Sequence, residues 1–144
     1  IKILFEMKYL DIKTAQNLLG IDPINHSVVI SDPNIKDCPM VFISDEFVNQ
    51  TGYSIEESLG KNCRFLQGPE TDKNDIDYIR LAIKTKKSIT IDILNYKKNG
   101  EKFWNRLRIK PLFDENGNVI YFAGDQNPIR VDEVRRYIFN KIID

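Results

Sequence analysis

A thiol, a guanidinium and two carboxamides crowd into one short stretch, Gly60-Lys61-Asn62-Cys63-Arg64-Phe65-Leu66-Gln67-Gly68. If Asn62 to Gln67 make a helical turn, side chains three or four apart share a face, which lines Cys63 up with Leu66 and Gln67. Either Cys63 is a small buried apolar residue and Arg64 a surface charge, or the thiol is set over a bound anionic cofactor. A cysteine activated as a thiolate needs a neighbouring base, usually histidine. The single histidine, His26, is remote in sequence. As a lone loop residue it is expected to be solvated, and no metal site is expected.

Three more carboxamides stand on elements that read as strands. Ser88 to Lys97, Lys102 to Leu112 and Val119 to Gln126 alternate in polarity, with turns at Lys98-Asn99-Gly100 and Asp114-Glu115-Asn116-Gly117. Strand side chains point to alternate faces. Asn95 therefore falls with Ile89, Ile91 and Ile93; Asn105 with Phe103, Leu107 and Ile109; and Gln126 with Ile120, Phe122 and Gly124. Leu94, Tyr96, Trp104, Val119, Tyr121 and Ala123 belong to the outer face, as do Arg106, Arg108 and Lys110. A buried amide without partners costs about 1–3 kcal/mol. Three on adjacent strands either satisfy one another and the backbone or meet a ligand of matching donor and acceptor pattern. Gly124 leaves room for such an approach.

Around this meander the chain supplies short strands at Val28-Val29-Ile30 and Met40-Val41-Phe42-Ile43, and a capping box at Ser54-Ile55-Glu56-Glu57. A helix capped by Thr71 or Asp72 runs to about Lys86 with Ile76, Ile79 and Ile83 on its apolar face and Arg80 beside it. Residues 2–20 carry Ile3, Met7, Leu10, Thr14 and Leu18 at helical intervals and stop at Gly20, and Val134, Ile138 and Ile142 repeat that spacing from Val131 onward. The pattern is α+β, with helices on one face of an antiparallel sheet. It divides into an N-terminal flanking helix (1–24), a core (25–128) and a C-terminal flanking helix (129–144).

Composition narrows the function. Lysine plus arginine equals aspartate plus glutamate, 21 each, and this zero net charge excludes the basic footprint of a nucleic-acid binder. No apolar run reaches membrane-span length and no signal peptide opens the chain. Cys38 and Cys63 are expected to be free thiols in a reducing cytoplasm. The chain opens on Ile1 and is expected to be a piece of something longer.

The string Gly-x-Asn-Cys-Arg-Phe-Leu-Gln resembles the signature of the light-oxygen-voltage (LOV) flavoprotein photosensors, a branch of the PAS superfamily, and the match runs from about Val28 to Gln126. The resemblance implies a PAS-like five-stranded antiparallel sheet with short helices on one face and flanking N- and C-terminal helices. It implies flavin mononucleotide (FMN) on the inner sheet face, between Val28, Leu107, Ile109, Phe122 and Gly124. Asn95 and Asn105 would hold the pyrimidine edge, Gln126 would face O4 and N5, Asn62 and Gln67 the ribityl chain, and Arg64 with Arg80 the phosphate. Two guanidinium forks suit a terminal phosphomonoester, favouring FMN over riboflavin. In the family, blue light drives a reversible bond between the cysteine, here Cys63, and ring carbon C4a while N5 gains a proton. Gln126 would answer by rotating its amide.

The expected product is a sensor rather than an enzyme. It would signal through the terminal helices or outer sheet face, as a homodimer, to an effector such as a histidine kinase elsewhere. Two departures fall at the exit: Asp125 where an apolar residue is usual, and Asn127-Pro128-Ile129-Arg130 after Gln126. The competing readings are a thiol enzyme using Cys63, with Arg64 as oxyanion partner, and a light-insensitive PAS module for another ligand or a protein.

Overall fold

The meander makes one side of a larger sheet, with its first strand at the edge. The computed structural model describes residues 9–136. Strands β1 (Val28–Ser31), β2 (Met40–Ile43), β3 (Ile89–Tyr96), β4 (Lys102–Phe113) and β5 (Val119–Asp125) lie in the order β2-β1-β5-β4-β3, each paired antiparallel to its neighbour. A short sixth strand, β6 (Pro128–Ile129), pairs with β4 at Asn105 and Trp104, beyond the end of the β4–β5 ladder. Pro128 can join because it is the first residue of its strand, where a missing N–H is tolerated.

Between β2 and β3 lie helices α2 (Asp45–Thr51), α3 (Ile55–Ser58) and α4 (Lys73–Lys84), the last capped by Asp72. The capping box read at Ser54 and Glu57 is present in both directions. Helix α1, here numbered first because it precedes the sheet, covers Ile12–Leu19 and not the whole of 2–20. Its start is local: the Leu10 N–H is taken by the Val41 carbonyl at 2.9 Å, and the Asp11 side chain caps the Thr14 N–H. The remainder of the expected helix, residues 1–8, lies outside the described residues. After β6, Val131–Glu133 is a single 3-10 turn and Val134 is extended, so the helical spacing read from Val131 is not realised as far as Arg136. Ile138 and Ile142 lie outside the described residues.

The inner face of the sheet is covered, and the outer face in part, with Thr90, Arg108 and Lys110 left exposed. On the outer face, Ala15 and Leu19 of α1 pack on Val28, Ile30, Val41, Phe42 and Ala123. On the inner face two clusters form. One joins Val29, Met40 and Ile43 to Phe47 and Leu66; the other joins Ile91, Ile93, Leu107, Ile109 and Phe122, with Ile79 and Ile83 of α4 against it. Val119, expected on the outer face, packs with this second cluster, next to a shift in the β4–β5 register at Leu112/Phe113. The space between the two inner clusters is the site.

Candidate functional site

The Cys63 stretch is pinned at both ends. At its start the Gly60 N–H donates to the Met40 carbonyl at 3.0 Å and the Met40 N–H to the Lys61 carbonyl at 2.8 Å, tying it to β2. Asn62 then caps a 3-10 turn, Cys63–Leu66: its Oδ1 accepts the Arg64 N–H at 2.9 Å and its Nδ2 donates to the Asp37 carbonyl at 2.7 Å. Leu66 is driven into the inner core, and the Phe65 ring meets Tyr53 edge-on at 4.8 Å. At the far end a Cβ on Gly68 would sit 2.3 Å from the Tyr96 ring, so only glycine allows this approach. Thr71 Oγ1 accepts the Gly68 N–H and donates to the Leu94 carbonyl, and the Tyr96 hydroxyl accepts the Glu70 N–H. The thiol is thus carried on a fixed turn.

It lines a cavity with about 670 Å³ of atom-free space, part of it open to solvent. Val29, Leu66, Ile93, Leu107, Ile109 and Phe122 make apolar walls, and Gly124 leaves its floor low. A Cβ there would meet Val29 Cγ2 at 3.2 Å. Asn62, Cys63, Arg64, Gln67, Asn95 and Gln126 also line it. Asn105 lies wholly buried behind them. Val28 does not line the cavity: its side chain points to the outer face under α1, and Val29 takes the place expected for it. Arg80 is not in the inner cavity either. It lines an adjoining recess, broadly open to solvent and shared with Arg64, Asn62 and Gln67, with its side chain 73% exposed and Asp77 3.6 Å away. Arg64 reaches this recess while paired with the Asp37 carboxylate. Asp37 and Cys38 both have left-handed backbone, with φ of 69° and 47°, conformations that cost energy outside glycine and collect at binding sites.

The three inward amides converge. Asn105 Nδ2 donates to Asn95 Oδ1 at 3.0 Å and to Gln126 Oε1 at 2.6 Å, while Asn105 Oδ1 accepts the backbone N–H of Asn127 at 2.9 Å. They satisfy one another in part, one of the two outcomes expected of them. They also stand at the cavity wall, where Asn95 and Gln126 can exchange those bonds for a ligand's. Sequence reasoning missed Val29, Ser31, Cys38, Leu66, Ile79, Ile83 and Ile93 as lining residues. Ile79 and Ile83 carried a signal, since they lie on the apolar stripe of α4, as did Ile93, which shares a face with Asn95; Cys38 carried none.

Burial pushes the Cys63 thiol up, and neither its backbone hydrogen bond nor the Arg64 charge offsets this. Burial, followed by Cys63, Asp32 and Asp37, pushes Cys38 up to about 12. Both are neutral thiols at neutral pH. A thiolate enzyme requires the opposite shift. An apolar slot with one amide-rich edge, a neutral thiol on its wall and Arg64 at its rim suits a largely apolar, hydrogen-bonding small molecule. Among the described residues, no helix is long and apolar enough to cross a membrane.

Comparison with known proteins places this geometry. A PAS domain family model matches residues 25–124. Phototropin-2 of Oryza sativa subsp. japonica is 49% identical over 106 residues, 74% of this chain and 12% of that protein. A blue-light-activated histidine kinase of Brucella anthropi is 46% identical over 105 residues, 73% of this chain and 21% of the relative. The chain therefore spans only a small part of these relatives' length. Among solved structures, one from a study of a flavin analogue and light-oxygen-voltage domain mechanism superposes with a TM-score of 0.78 at 41% identity, over 83% of this chain and 88% of that one. The dark structure of the blue-light photoreceptor Aureochrome1 LOV superposes with a TM-score of 0.79 at 34% identity, over 95% of this chain and 97% of that one. Taken with the Cys63 turn and the amide-edged cavity behind it, these matches show that the chain belongs to the PAS domain family, in its light-oxygen-voltage branch.

Proposed function

We propose that this domain is a blue-light sensor that binds FMN in the inner cavity and uses Cys63 as its photoreactive thiol. The observation that carries the reading is the convergence of Asn95, Asn105 and Gln126 on the cavity that a neutral Cys63 also lines. When bound, a flavin supplies blue-light absorption and a ring carbon to which a thiol can add.

The chain's own residues do the rest. The turn at Cys63–Leu66, held to β2 and to Tyr96, keeps the sulfur at a fixed place on the wall. Because the thiol is protonated, it brings its own proton, and no base need stand beside it. Asn95, with Asn105 buried behind it, would offer donors and acceptors to the ring's polar edge, and Leu107, Ile109 and Phe122 would lie against its faces. Asn62 and Gln67 flank the passage to the recess where Arg64 and Arg80 would balance a phosphate. That pairing favours FMN over a flavin without phosphate. Gln126 lines the cavity just past the end of the last long strand, where an amide rotation would report a change of protonation at the ring without moving charge.

The relatives named for a histidine kinase support a place as the sensory part of a larger, dimeric signalling protein, its effector outside these residues. The test is optical. Purified protein should be yellow, its blue absorption should fade under blue light and return in darkness, and bound flavin should be released as FMN. A colourless protein, or one whose absorption never fades, would sink the reading.

A further inference from the structure

The recess at the cavity mouth carries one charge of the wrong sign for an anionic tail. Among the described residues that line it are three cations, Lys36, Arg64 and Arg80, and one acid, Asp37. That acid is engaged twice. Its carboxylate accepts a bond from Arg64 Nη2, and its carbonyl accepts Asn62 Nδ2 at 2.7 Å. Asp37 therefore holds the residues on either side of Cys63. Its backbone is left-handed, with φ of 69°, a region that aspartate and asparagine enter more readily than most residues with a Cβ. Arg64 is fixed at its root, because its N–H donates to Asn62 Oδ1 at 2.9 Å. Only its side chain is left to turn between Asp37 and a ligand.

We infer that Asp37 is a specificity-determining residue of the flavin site: it takes up part of the Arg64 charge and so holds down the preference for a phosphorylated flavin. This rests on the flavin-site reading and deepens it, since the tail phosphate is the group concerned. Two arrangements of a bound phosphate are open to Arg64, and both have the same sign. If the phosphate draws the guanidinium away, the ion pair with Asp37 must first be given up. If the guanidinium serves both, as its five donors allow, the carboxylate stands beside the phosphate and the like charges repel. A flavin without phosphate meets neither cost. Asp37 therefore acts on the ratio between the two ligands and leaves the ring's own contacts alone.

Exposure sets the size of the effect. The Arg64 and Asp37 side chains are 53% and 56% exposed, so water weakens their attraction and only a few-fold change in the ratio is expected. Asparagine is the variant that isolates the charge. It tolerates the left-handed backbone and keeps the carbonyl that Asn62 bonds.

The test is a competition. Protein as purified with its chromophore is dialysed to equilibrium in darkness against an equimolar mixture of FMN and riboflavin. Bound flavins are then released by denaturation and separated by chromatography, which gives the ratio held. Asp37→Asn is expected to raise the ratio of FMN to riboflavin about two- to fivefold, and Asp37→Glu to return it to the wild-type value. Arg64→Gln should lower the ratio, and Asp37→Asn made on top of it should raise it by less than in the wild type. An unchanged or lowered ratio in Asp37→Asn overturns the inference. An equal rise with Arg64 already replaced overturns the pairing as its cause. Wild-type protein that retains neither flavin overturns the flavin-site reading itself.

Discussion

Cys63 works in this scheme because its surroundings suppress ordinary thiol chemistry. Burial keeps it protonated, so it is inert in darkness toward partners that need a thiolate. Cys63→Ala is expected to keep bound flavin, abolish reversible fading and leave longer-lived fluorescence; fading that persisted in this variant would assign the thiol elsewhere. Gly68 is as specific in its steric demand. Gly68→Ala forces a Cβ onto the Tyr96 ring, and denaturant unfolding should show a loss of about 1–3 kcal/mol, smaller when Tyr96→Ala is made with it. The stretch around Cys63 was legible in sequence because it gathers rare side chains between glycines. Val28 was misplaced for a physical reason: β1 is buried on both faces, so it has no polar alternation from which parity can be set, and its neighbour Val29 faces the cavity instead.

At the scale of elements, alternation located β3, β4 and β5 and put their amides on one face, because that face is apolar and the other carries arginine and lysine. The flanking elements were harder to read. Helical spacing does not reveal that Leu10 is claimed by the β2 backbone, or that Val131–Glu133 closes after one turn with its end bound to Arg106. The pairing of Asp92 with Arg106 and the Arg135 N–H joins residues far apart in sequence and left no local pattern. The Asp92 carboxyl gives this pairing a pH signature. Burial pushes its carboxyl up, but the bonds from Arg106 and the Arg135 N–H outweigh this and hold it below its ordinary 3.8. A depressed carboxyl contributes stability that is present above the ordinary value and lost as pH falls through the lower one. Asp92→Asn should therefore cost about 1–3 kcal/mol near neutrality, and its gap to the wild type should close on acidification below pH 3.8. A gap independent of pH would show that the charge contributes nothing. Gln126→Leu, which removes the acceptor facing Asn105, is expected to shrink the light-driven change at the exit; an undiminished change counts against Gln126 as the switch.

For the molecule as a whole, the outer sheet face is shared between the two ends of the chain. Helix α1 covers β1, β2 and the Ala123 region of β5, while the segment after β6 lies by Trp104 and Asp92. Leu19→Ala should lower stability by about 2–5 kcal/mol, read as a fall in melting temperature. β1 links this cover to the interior, since Val28 and Ile30 bear on α1 while Val29 and Ser31 face the cavity. Seating of the N-terminal helix and filling of the pocket are consequently two weights on one thin partition. Whatever occupant steadies that wall must also tighten the helix beyond it, and by thermodynamic reciprocity a poorly seated helix must weaken the occupant's grip by the same factor.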